Sequence, residues 1–237
     1  MTEVRDAATV IVARDAPAGL EIYLVRRSAR SGWLPDRYVF PGGAVDPADR
    51  GVAAAGLLRG AAGAVEPAFV VTAARETFEE GGLLFADRPI EPEALSAARR
   101  ELLAGSLAFT GLLRRFAATL DASLLRLFSR WITPPGEPRR FDTRFFVARA
   151  PADQIAEADA REVLDGRWLR PRNALTAHER GELGLIFPTI KHLERIAPFA
   201  TVADLLAFAA AKPIAPVRPH MHADGTIEMA SELENAW

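Results

Sequence analysis

Cysteine is absent from the 237 residues. That removes disulfides, thiol nucleophiles and thiolate-held metals from consideration. Histidine is scarce: His178, His192, His220 and His222 show no H-x-x-x-H spacing, so a histidine-held zinc centre is not expected. Charge of one sign is not in excess either. The net charge of −2 gives no broad field for a polyanion, and a nucleic-acid partner is not expected. No basic segment followed by an apolar stretch opens the chain, and no run of about 20 apolar residues occurs. Secretion and membrane insertion are therefore not expected. Asn235-Ala236-Trp237 is not an address of the Ser-Lys-Leu type, and the expected location is the cytoplasm. What is present, 49% apolar and 25% charged residues, is the balance of a globular fold with a substantial core.

The local pattern is mixed. Two β-branched runs, residues 7–13 and 20–25, flank Pro17-Ala18-Gly19 and predict a strand pair. Tyr38-Val39-Phe40 predicts a short strand stopped by Pro41-Gly42-Gly43, and residues 46–67 a loop or loose Ala-rich helix. Residues 69–81 predict a helix with Val70, Val71, Ala74, Thr77 and Phe78 on one face and Gly81-Gly82 as its stop. Amphipathic helices are expected over 92–103 and 111–128. The second rests on a stripe of Leu112, Leu113, Phe116, Leu120, Leu124, Leu127 and Phe128, which must pack on the domain or form a homodimer contact. Strands follow over 141–148 and 163–169, then helices over 171–178, 188–197 and 202–211. From Lys212 the Pro-rich, polar chain reads as an extended tail, leaving residues 1–211 as one domain with a helical insertion at about 90–130.

One turn of the 69–81 helix concentrates charge. Glu76, Glu79 and Glu80 fall within about 100° of arc and repel one another. A hard divalent cation, Mg²⁺ or Mn²⁺, would relieve that repulsion through carboxylate oxygens. Arg75, four residues before Glu79, is placed to hold that side chain. A solvated acidic face is the bland alternative.

The wider pattern decides between them. Gly43, then Asp49, then Arg75-Glu76-Thr77-Phe78-Glu79-Glu80-Gly81-Gly82-Leu83 resembles the Nudix box, Gly-x5-Glu-x7-Arg-Glu-(apolar)-x-Glu-Glu-x-Gly-(apolar). Asp49 stands where the pattern has its first Glu, and Thr77 fills an apolar slot. Seven residues are expected before the Arg; here residues 50–74 intervene, roughly 18 more, rich in Ala, Gly and Val. A long insert inside the box is similar to the peroxisomal-type coenzyme A diphosphatases. So are Arg26-Arg27-Ser28-Ala29-Arg30-Ser31-Gly32 running into Tyr38-Val39-Phe40-Pro41-Gly42-Gly43, and Arg139-Arg140-Phe141-Asp142-Thr143-Arg144-Phe145-Phe146.

The resemblance implies an α/β fold, the Nudix α/β/α sandwich with a mixed sheet. It implies a hydrolase that cleaves the pyrophosphate of a small-molecule nucleoside diphosphate joined to another moiety, coenzyme A or acyl-coenzyme A being favoured. ADP-ribose, NADH and dinucleoside polyphosphates are the alternative substrates. A non-catalytic ligand-sensing Nudix module is the alternative class, and retention of all three box carboxylates argues against it. Glu76, Glu79 and Glu80 are expected to hold the metal, with Gly43 bringing backbone beside it and Arg75 supporting catalysis. Arg26, Arg30, Arg139 and Arg140 are the expected substrate contacts, with Arg27 a further candidate. Asp46 and Asp49 are open between metal ligands and turn or cap residues. Tyr38 or Phe141 could stack on a base. Glu162, His178 and Glu182 are candidate bases outside the box.

Overall fold

A computed structural model of the chain describes residues 3–29, 34–61, 65–222, 224–229 and 237. In chain order the elements are β1 (Val4–Ala16), β2 (Gly19–Arg27), β3 (Tyr38–Val39), β4 (Gly42–Ala44), α1 (Pro47–Ala54), β5 (Leu58–Arg59) and α2 (Pro67–Gly81). Then follow α3 (Pro92–Leu103), α4 (Phe109–Arg115), β6 (Leu120–Asp121), β7 (Arg126–Ile132), β8 (Arg140–Arg149) and β9 (Val163–Leu169). The chain continues through α5 (Pro171–Glu179), α6 (Phe187–Ile196), α7 (Val202–Ala211), β10 (Pro216–Val217), β11 (His220–Met221) and β12 (Ile227–Glu228).

Side-chain alternation along β1 builds two cores from one strand. Ala8, Val10 and Val12 face α2 and its neighbours α1, α3 and α4, whereas Ile11 and Ala13 face α5, α6 and α7. β2 repeats the division, with Tyr23 and Val25 on the first side and Leu20, Ile22 and Leu24 on the second. A strand buried on both faces must be apolar throughout its middle, which is why residues 7–13 read as a continuous β-branched run. The sheet is mixed, ordered β10-β7-β8-β1-β2-β3, with β4 also on β1 and β9 also on β2. β8 runs parallel to β1, while β2 and β4 run antiparallel to it. β1 pairs with β2 only over residues 13–16 and with β4 over residues 7–9. The α/β/α sandwich is thus forked beside β4, and the functional residues gather there.

Two expectations are corrected. The helix predicted over 111–128 is only α4, residues 109–115, and residues 126–132 are β7 of the main sheet. Ala117 takes a left-handed φ of 46°, which ends the helical path, and the Leu-rich stripe continues in strand form. The proposed helical insertion over 90–130 is therefore two short helices followed by sheet. Leu112, Leu113 and Leu120 of the stripe pack inside the chain, while Leu124 is exposed. The segment from Lys212 is not a free tail either. β10 pairs with β7, and Trp237 is buried, its ring 4.9 Å from Trp131 and 4.9 Å from His192. No helix among the described residues is long and apolar enough to cross a membrane.

Candidate active site

α2 carries the acidic turn. Pro67 occupies its first turn, where the missing N–H costs nothing, and Gly82 closes it in the left-handed region at φ 72°. Phe78, Ala73 and Ala74 are fully buried against the sheet, and this packing fixes the rotation of the helix. Glu80 is thereby driven inward, 4% exposed, where its Oε2 accepts a hydrogen bond from the Gly42 backbone N at 3.0 Å. Burial holds the Glu80 carboxyl well above the ordinary range, and the neighbouring Glu76 charge adds to the effect.

Glu76 lies against Gly43. A Cβ built on Gly43 would stand 2.3 Å from Glu76 Oε1, so only glycine admits the carboxylate. Burial pushes Glu76 up to about 7, against the pull of Arg75. Glu79 is raised too, by burial, with Arg75 opposing. Arg75 Nη1 donates to Glu76 at 2.9 Å and to Glu79 at 3.0 Å. Its Nε and Nη2 fork onto the two oxygens of Asp49 at 2.8 and 3.0 Å. Burial pulls the Arg75 pKa down, but the Asp49 hydrogen bond and the three carboxylate charges outweigh it, so this guanidinium stays charged.

The two aspartates have structural partners. Asp49 is 1% exposed, and Arg75, Thr72 Oγ1 and the Asp46 backbone N donate four hydrogen bonds to its oxygens, so it serves as a brace for Arg75 and for the start of α1. Asp46 caps α1, accepting from Ala48 N at 2.7 Å. The box insert leaves the site rather than covering it: β5 pairs with β6, and no described residue of 50–66 lines the cavity below.

A cavity of about 640 Å³ opens from the sheet fork, on the face opposite α2. Glu76, Glu80, Gly42, Gly43 and Arg27 line one part of it. Arg5, Phe141 and Arg139 line another, with Trp131, Phe145 and Phe187 on the wall. Glu162 also lines it, and its charge is felt by Glu76, Glu79 and Glu80. Glu79 and Arg75 stand behind this wall rather than on it. Among the described residues no three acidic or imidazole groups converge as a ready-made chelate.

The expected arginines divide. Arg139 lines the cavity but Arg140 does not: its Nε donates to the Thr133 carbonyl at 3.1 Å. Along β8, Phe141, Thr143 and Phe145 share the cavity face, whereas Asp142, Arg144 and Phe146 turn toward α2, and Arg139, in the turn just before the strand, comes to the cavity beside Phe141. Arg26 is also off the cavity wall, with its Nε buried and without a hydrogen-bond partner among the described residues; Arg27 takes the place expected of it. Arg30 lies outside the described residues. Tyr38 is buried and donates to Asp165 Oδ2 at 2.7 Å, so it has no face to offer a base, whereas Phe141 does. His178 Nδ1 sits 3.0 Å from the Leu183 carbonyl, bracing a loop, and neither it nor the exposed Glu182 reaches the cavity. Arg5 and Arg37, two cavity cations, were missed by the sequence reading. No local signal marks them, because only strand pairing brings them there.

Comparison with known proteins is consistent with this geometry. A family model described as the NUDT19 Nudix domain matches residues 58–196. The acyl-coenzyme A diphosphatase NUDT19 of Gallus gallus is 29% identical over 86% of this chain and 71% of its own length. The protein of that name from Homo sapiens is 28% identical over 82% of this chain and 65% of its own length. The crystal structure of a Nudix hydrolase from Alicyclobacillus acidocaldarius superposes with a TM-score of 0.70, at 32% identity over 87% of this chain and 97% of that one. The chain belongs to the Nudix hydrolases, within the family of the NUDT19 Nudix domain.

Proposed function

We propose that this Nudix hydrolase cleaves the pyrophosphate bond of coenzyme A or an acyl-coenzyme A, with Mg²⁺ or Mn²⁺ as its cofactor. The observation that carries the proposal is one cavity joining Glu76 and Glu80 to a separate set of cations. Its donor set fits a hard ion: buried carboxylate oxygens, with no sulfur or imidazole beside them. Mg²⁺ retains several waters and is commonly held by one or two carboxylates plus substrate phosphate, so a closed protein cage is not needed. Glu76 and Glu80 would hold it directly and Glu79 at the margin, with Gly43 leaving room for Glu76. When bound, the ion lowers the pKa of a water and neutralises charge on the phosphate oxygens. Arg75 keeps the carboxylates in register. Arg27 faces the diphosphate and offers a charge-assisted contact. Glu162 lines the same cavity, which supports its role as the base that takes the proton of the attacking water. One water O–P bond forms and one bridging O–P bond breaks, giving 3′,5′-ADP and a 4′-phosphopantetheine.

The names of the NUDT19 relatives and the long box insert support the coenzyme A reading. A product screen by liquid chromatography tests it, with coenzyme A, acetyl-coenzyme A, ADP-ribose, NADH and diadenosine polyphosphates over Mg²⁺ and Mn²⁺. Fastest turnover of a coenzyme A species is expected. Faster turnover of ADP-ribose, NADH or a dinucleotide would replace this substrate, and no turnover of any would replace the enzyme by a ligand-binding module.

A further inference from the structure

The cations at the far end of the cavity come from β1 and from the turn that leads into β8. Arg5 on β1 stands directly beside Phe141 on β8 in the parallel register, and Arg139 precedes Phe141 by two residues on the same face. Neighbouring strands lie about 4.8 Å apart and alternate residues about 6.7 Å apart along a strand. Backbone register and sequence thus bring Arg5 and Arg139 to either side of Phe141 on the cavity wall. Neither Arg5 nor Arg139 makes an ion pair among the described residues, and both are exposed to the cavity. Glu137 shares that wall and pairs with neither. Arg130 on β7 and Arg144 on β8 differ, both being committed to Asp142. On β1 the acidic end is marked by Thr9, which pairs with Gly42; Arg5 is four residues away, about 13 Å along the strand.

We infer that Arg5, Phe141 and Arg139 form a subsite for a phosphate monoester carried on the ribose of the substrate, the 3′-phosphate of a 3′-phosphoadenosine, with the base against Phe141. The inference rests on the pyrophosphatase reading and deepens it. The chemistry is that of a dianion between two uncommitted guanidinium groups, beside a flat ring that an adenine can cover. The distance from the acidic end places this second phosphate away from the reacting one, bridged by the ribose and the arginine side chains. The two arginines are thus specificity-determining for the far side of the substrate and take no part in bond cleavage.

The subsite is tested by calorimetric binding of 3′,5′-ADP, 2′,5′-ADP and 5′-AMP to the full chain, in wild type, Arg5→Ala, Arg139→Ala and Arg140→Ala. Wild type is expected to bind 3′,5′-ADP at least ten-fold more tightly than 5′-AMP, as two charge-assisted contacts require. Arg5→Ala and Arg139→Ala should each close most of that gap with little change for 5′-AMP, and Arg140→Ala should leave it intact. Melting temperatures confirm folding. Equal affinity for all three nucleotides, a preference for 2′,5′-ADP, or a gap that survives in both variants would overturn the assignment. Failure of the pyrophosphatase reading shows separately, as intact coenzyme A that is not turned over, because the binding order does not depend on cleavage.

Discussion

Gly43→Ala isolates the arrangement of the acidic site in one methyl group. The added Cβ would lie 2.3 Å from Glu76 Oε1, 2.5 Å from its Cδ and 2.8 Å from Oε2, whereas ordinary contact begins at 3.4 Å. The carboxylate must retreat by about 1.1 Å, the difference between 3.4 and 2.3 Å. Gly43 does not sit at positive φ, so Ala fits its backbone, and what must move is the end of a side chain. Stability should change little. Activity should not survive so well, because about 1 Å of misplacement at a reacting centre costs on the order of 10² in rate. Steady-state turnover of coenzyme A under saturating Mn²⁺ reads the loss, with a thermal melt beside it. Repeating Gly43→Ala in a Glu76→Ala background assigns the cause: with the carboxylate gone, the extra methyl should cost almost nothing. Wild-type turnover in Gly43→Ala, or a loss that simply adds to that of Glu76→Ala, would refute the reasoning. Gly42→Ala is a different perturbation, since its Cβ would meet the Ala8 carbonyl at 2.6 Å and the Thr9 Cα at 2.7 Å, and it should destabilise the fold.

His192 makes stability depend on acid. Burial, with the Lys212 charge, lowers its pKa from 6.5 to about 3, so the unfolded chain takes up its proton first as pH falls. Stability is complete above about pH 6.5 and is lost toward pH 3; between pH 7 and 5 the share from His192 is about 2 kcal/mol, and urea melts of wild type against His192→Gln should show that extra slope, a parallel pair of curves refuting it. Asp49→Ala removes two of the carboxylate hydrogen bonds of Arg75, which keeps Glu76 and Glu79, and should cost about 1.5–3 kcal/mol. Its Mn²⁺ affinity by electron paramagnetic resonance should nevertheless fall far less than that of Glu80→Gln; an equal fall would return Asp49 to the metal. Trp237→Ala removes a buried ring packed on Trp131, Phe128 and His192 and should destabilise by about 3–5 kcal/mol in a denaturant titration. A change below about 0.5 kcal/mol would show that the segment does not dock in solution.

Local chemistry made parts of this molecule legible in its sequence. α2 was readable because one face must be apolar and Gly82 must stop it, and residues 202–211 were readable for their compact apolar pattern after a Thr cap. β7 was not, because Leu120, Leu124, Leu127 and Phe128 satisfy a helical period by accident while burial follows strand geometry from Arg126. Nothing in an alanine announces the left-handed turn at Ala117. In the site, the carboxylates were legible because their spacing on one turn is a local fact. Asp49 was not, since its partner Arg75 is 26 residues away and meets it only in the folded chain. The choice of Arg139 over Arg140 and of Arg27 over Arg26 depends on strand parity and register, which adjacent arginines cannot reveal. Arg5 needed the parallel pairing of β1 with β8.

The central claim is that carboxylates on α2 drive a metal-dependent attack on a pyrophosphate of coenzyme A. It is tested most directly by following release of 3′,5′-ADP from coenzyme A by wild type and by Glu80→Gln, each with Mg²⁺, with Mn²⁺ and with excess EDTA. Glu80 is buried and bonded to the Gly42 N–H, and the neutral amide keeps its shape while removing its charge. Wild type should release 3′,5′-ADP only with metal, and folded Glu80→Gln should be slower by a factor on the order of 10² or more. Turnover that persists in EDTA, or a Glu80→Gln enzyme as fast as wild type, would contradict the account.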